Sequence, residues 1–162
     1  MERFSQALFD KSAAFLEVAI ISSKEKSSFR YNTSEYSNVT AYLTHHSIEL
    51  FLKFAISAFT NETPEQTHDI KKLYDEYNKL YTGSKFKLDI PQNTEMEFLG
   101  FTNAQIQEYH ESNRLHIDMQ LRYPVGNNKK VYLPITMYDT DYLKKLEKNM
   151  EKIYLDILNL EV

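Results

Sequence analysis

Between residues 34 and 59 the chain contains neither glycine nor proline. Its apolar residues there return at helical rather than alternating spacing. Tyr42, Ile48, Leu52, Ala55, Ile56 and Phe59 trace one broad face. Such a run predicts a long helix and makes a turn-rich β fold hard to build. The rest of the chain agrees, with only 3 Gly and 4 Pro in 162 residues. Few breakers leave long uninterrupted elements. The length suits one well-packed domain, residues 1–162, rather than two.

The remaining pattern predicts about five helices in one antiparallel bundle. Phe4, Leu8, Phe15, Val18 and Ile21 mark a first helix over 4–21, which "SSKEKSSF" ends. Ser34 can cap the second helix, with Ser37 and Asn38 as rival starts. "TNETPEQ" closes it. "THDIKKLYDEYNKLY" opens a third helix capped by Thr67 or His68, with Ile70, Leu73, Tyr77 and Leu80 on one face and Gly83 as a stop. "FKLDI" alternates and reads as a short strand, and "TEMEFLG" as one helical turn. A fourth helix is expected over 103–121, ended by Pro124. Near 123–136, Gly126-Asn127-Asn128 is turn chemistry and "VYL" favours β structure, so a short β-hairpin or an irregular loop fits. Asp139 or Thr140 opens the last helix, whose face is Tyr142, Leu146, Met150, Ile153 or Tyr154, Ile157 and Leu160.

Composition narrows the function classes. The net charge of -4 and pI of about 5.7 argue against general affinity for polyanions. Cysteine is absent, which removes disulfides, thiolate metal sites and thiol nucleophiles. "MERFSQALFDKSAAF" lacks the long apolar run of a secretory signal, and the most apolar segment, 48–59, is too short to span a bilayer. A cytoplasmic protein with no membrane partner is expected.

Polar residues concentrate in two places. His45, Glu49 and Lys53 lie four apart on the second helix and so share a face. They read either as a ligand-binding triad, with Glu49 orienting His45 and Lys53 holding an anion, or as an ion-paired stripe. His45 and His46 point about 100° apart on a helix and cannot easily grip one metal ion together. No metal or cofactor is expected. The second concentration is "YHESNRLHIDMQLRYP". His110, Arg114, Asp118 and Arg122 form a ladder, readable as a phosphate-clamping groove or as a surface salt ladder, with His116 off its line. Tyrosines near basic residues in "KVYLPITMY" and "FRYNTSEYSNV" suit either RNA stacking or a dimer rim.

Three segments carry a family resemblance. "HHSIELFLKFAI" resembles the "S-I-E-(L/K)-x-L-K" second helix of HEPN-domain proteins. "HDIKKLYDEY" is similar to the "H-D/N-L-x-x-L" start of their next helix, and "LRYPV" to their "R-Y-P" segment. They occur in the family's order and cover residues 41–125. The resemblance implies an all-α bundle that often dimerises. It also implies RNA cleavage, a nucleotidyltransferase or antitoxin partner, and RNA or nucleotide as ligand. Active members carry Arg, four to six residues, then His. None of the arginines here has that histidine. After Arg122 the positions hold Asn127, Asn128 and Lys129, and an amide does not exchange a proton usefully near neutral pH. Asn127 and Asn128 therefore stand as candidates for ligand binding only. The leading expectation is an HEPN-like non-catalytic binding or regulatory module. The alternative is a divergent metal-independent RNase using Arg114 or Arg122 with His110 or His116.

Overall fold

The computed structural model describes residues 3–24, 33–90, 102, 104 and 138–160. Among these the chain is all-α: α1 (Arg3–Lys24), α2 (Thr33–Thr60), α3 (Ile70–Leu80), a 3-10 turn (Ser84–Phe86) and α4 (Thr140–Leu158). The expected helix over 103–121, the turn in "TEMEFLG" and the hairpin near 123–136 lie outside the described residues.

The long breaker-free run becomes the central element. Its burial goes well beyond one apolar face. Ile48, Phe51, Leu52, Phe54 and Ala55 are buried, and so are Thr40, Thr44, His45, Ser47 and Glu49 around the rest of the helix. A helix buried nearly all round must satisfy its own polar groups. Thr40, Thr44 and Thr60 do this by donating to the carbonyls of Tyr36, Thr40 and Ile56, one turn back. α2 ends where Asn61 takes a left-handed backbone (φ 56°), with its N–H bonded to the Ser57 carbonyl. Asparagine is the non-glycine residue that tolerates this conformation best.

α1 packs antiparallel to α2, since Ser12 meets Ser47 while Ser22 meets Thr40. The Ser12 hydroxyl donates to the Ser47 carbonyl and the Ser47 hydroxyl to the Ser12 carbonyl, each at 2.8 Å. Two short side chains let the backbones approach this closely. The inward side of α1 is Ser12, Leu16, Ala19 and Ile20, whereas Val18 and Ile21 are each 51% exposed. The expected apolar face was therefore rotated. Ser12 and Ser47 take the point of closest approach, with Leu16, Ala19 and Ile20 filling the rest of the inward side. α1 also continues past residue 21, because Ser22 bonds Thr40 and Ser23 bonds both the Ile20 carbonyl and Thr140.

α4 is capped by Asp139, whose carboxylate accepts from Tyr142 N–H at 2.7 Å. It buries Leu143, Leu146, Met150, Ile153 and Ile157 at helical spacing. Leu143 takes the first core position in place of the expected Tyr142, which is half-buried, and Leu160, expected on this face, is exposed. Tyr154 stacks on Phe9 with ring centroids 3.8 Å apart, while Ser23 of α1 bonds Thr140, so α1 and α4 are antiparallel.

Residues 86–90 are not a strand. Burial does alternate, with Phe86, Leu88 and Ile90 inward. The backbone, however, is held by side chains of α3 and α4. Tyr74 and Tyr77 donate to the Leu88 and Phe86 carbonyls, and Asn149 donates to the Lys87 carbonyl. The alternation reflects an extended segment crossing the ends of helices.

Candidate functional site

Among the described residues, a cluster of charged and imidazole side chains gathers where α2 meets the turn before α3. Residues 61–69 carry the chain back along α2, and three successive residues then act differently. Thr67 accepts from Asp69 N–H at 3.1 Å, which tightens the turn. His68 reaches back to α2. Asp69, rather than Thr67 or His68, caps α3 by accepting from Lys72 N–H at 3.1 Å. Thr67 and Asp69 both have the short oxygen acceptor that a cap needs, and the one chosen is the one that the turn leaves next to the helix. Asp69→Ala is expected to cost about 1 kcal/mol, measured as a lower urea midpoint with an unchanged slope.

Glu49 is the focus of the site. Its side chain is 2% exposed, and Lys53, one turn on and 13% exposed, donates to Oε1 at 2.7 Å. His68 brings Nδ1 to 3.1 Å from Oε2 and 3.2 Å from Oε1. His46, three residues before Glu49, stands at 3.6 Å, a longer electrostatic contact. A carboxylate only accepts, so the His68 Nδ1 carries a proton. The His68 side chain is 59% exposed.

Burial pushes the Glu49 carboxyl up, as it would any isolated buried acid. The approach of His46, Lys53 and His68 more than offsets this, and the carboxyl sits at about 2. Glu49 is therefore ionised throughout the physiological range. So strong an acid has a weak conjugate base, and Glu49 is poorly suited to take a proton near neutral pH. The chemistry this arrangement supports is cohesion: one charge on α2 gathers a cation from its own helix and an imidazole from the segment leading into α3.

The aromatic ring of His46 is fixed from two sides. Phe15 of α1 meets it edge-on at 4.6 Å, and Tyr42 lies parallel to it at 6.0 Å. The adjacent His45 is buried within the bundle. Of the triad expected on α2, Glu49 and Lys53 are brought together. The imidazoles that reach the carboxylate are His46 and His68. His68 is 19 positions away; its place at a helix start and in the "HDIKKL" segment singled it out, but nothing in the sequence paired it with Glu49. The other candidates, His110, Arg114, His116, Arg122, Asn127 and Asn128, lie outside the described residues. Among the described residues, no group of three or more His, Asp or Glu is placed to hold a metal ion. No helix among them is long and apolar enough to cross a membrane.

Fold and site together define an all-α bundle whose central helix carries a buried, cation-neutralised carboxylate. No protein-family model, curated protein or solved structure matches the chain.

Proposed function

We propose that the chain is an HEPN-like, non-catalytic binding or regulatory module of a bacterial defence or toxin–antitoxin system. It acts in the cytoplasm as a homodimer, beside a nucleotidyltransferase or antitoxin. One observation carries this reading. Glu49 and Lys53 of the "SIELFLK" segment and His68 of the "HDIKKL" segment meet in a single contact, in which the carboxylate is satisfied by its neighbours. The polar residues that mark the resemblance thus join two helices, and the acid among them is held too low to serve as a general base.

The test is an incubation of the purified full chain with end-labelled single-stranded RNA, with magnesium and separately with EDTA. The RNA is expected to stay intact in both. Robust cleavage that disappears in Arg114→Ala or Arg122→Ala would overturn the reading in favour of a nuclease.

A further inference from the structure

The geometry points to the groove between α1 and α4 as a docking site for a short basic amphipathic helix of a partner protein. The two helices are tied at both ends, by the Phe9–Tyr154 stack and by the Ser23–Thr140 hydrogen bond. Between these ties the small Ala13 leaves α1 unable to fill the space facing α4. A groove of about 340 Å³ results. Buried Leu16 and Met150 lie along it, and Leu155 stands 57% exposed beside it. From Glu147 to Leu155 the groove follows α4 for about 12 Å, roughly two helical turns. That length accepts the two or three apolar side chains that one face of an amphipathic helix presents.

Charge selects the occupant. Glu147 and Glu151 line the groove one turn apart, and Glu17 of α1 adds a third carboxylate. Among the described residues none of the three makes an ion pair or a hydrogen bond. Burial, then Glu151, then Glu17 push the Glu147 carboxyl up, and Lys24 and Lys144, the latter one turn before it on α4, only partly counter this. Like charges four apart on a helix destabilise it. Compensating cations would therefore come from the molecule that fills the groove. A second copy would bring the same carboxylates to the same place, so a self-paired groove is repelled. A partner with leucine-like anchors flanked by Lys or Arg satisfies both the apolar floor and the acidic edge.

This inference rests on the binding-module reading and names the chemistry of the partner. It is tested on the full chain with synthetic fluorescent peptides of about 14 residues. The first carries leucines at helical spacing flanked by lysines. The second replaces the lysines by glutamates, and the third scrambles the first. Anisotropy is expected to show binding of the first peptide alone, weakening as salt rises. In the double variant Glu147→Gln/Glu151→Gln the affinity is expected to fall roughly three- to tenfold. The unfolding temperature of that variant should stay level or rise, because a repulsion has been removed. A merely structural role for the pair would not separate the two readouts in this way.

Equal binding of all three peptides, no binding of the first, or unchanged affinity in the stable double variant would overturn the proposal. So would a dimer in sedimentation that the first peptide dissociates, because the groove would then be the surface that pairs with a second copy. The RNA assay stands apart from these outcomes. A chain that cleaves RNA yet discriminates the peptides loses the module reading and keeps the groove, whereas one that does neither loses only the groove.

Discussion

Glu49→Ala is expected to lower the unfolding free energy by about 3 kcal/mol, because it leaves the Lys53 ammonium desolvated with no counter-charge. The Lys53 side chain is only 13% exposed, and the His68 Nδ1–H loses its acceptor in the same step. Glu49→Gln keeps the volume and one acceptor oxygen, so its loss is smaller, about 1–2 kcal/mol. Denaturant midpoints followed by circular dichroism measure both. An alanine variant within about 0.5 kcal/mol of the parent would mean that the contact holds little together. The same group dictates a pH dependence. Its carboxyl lies at about 2 in the folded chain against an ordinary 4.5. The stabilisation is therefore complete above 4.5 and is lost as the pH falls through about 2. The separation corresponds to roughly 3 kcal/mol. Glu49→Gln should remove this component of acid unfolding, flattening the stability profile below 4.5.

Phe54→Ala is expected to be the more damaging change, at about 3–5 kcal/mol. Phe54 is fully buried. Its ring sits 5.4 Å from Phe9, 5.8 Å from Phe51 and 5.5 Å from Tyr154, so one side chain joins α1, α2 and α4. Removing it opens a cavity where rigid aromatic rings meet and cannot easily collapse to fill it. Phe54→Leu retains much of the volume and should lose only about 1–2 kcal/mol. Thermal unfolding of the three proteins should rank parent, leucine and alanine in that order. An alanine variant as stable as the leucine variant would contradict the central placement of this ring.

The all-α class was legible because few breakers and helical spacing constrain the backbone locally. The positions of α1 to α4 follow from that, as does Asp139 as a cap. Which way each helix turns was less legible. Val18 and Ile21 look like core residues by their type, but the inward side of α1 is Ser12, Leu16, Ala19 and Ile20, with Ser12 and Ser47 at the closest approach to α2. The alternation of residues 86–90 predicts a short strand, and the structure has none there. The segment's hydrogen-bond partners are the side chains Tyr74, Tyr77 and Asn149, from distant helices. In the candidate site, the Glu49–Lys53 spacing was visible within one helix. The approach of His68 depends on a nine-residue return of the chain, and no periodicity encodes it.

The Ser23–Thr140 and Gln6–Tyr154 bonds span 117 and 148 positions. They make α1 and α4 neighbours although nearly the whole polypeptide lies between them. Bringing such ends together has a closure entropy of about 4 kcal/mol, which grows only slowly with further length. High contact order of this kind slows folding relative to a bundle of sequential hairpins. During synthesis, α1 can pair with α2 as soon as both emerge, but its other flank meets α4 only when that helix is made. The flank that waits is the one bearing Phe9 and Leu16, so Phe9 gains its stacking partner Tyr154 only when the end of α4 has emerged.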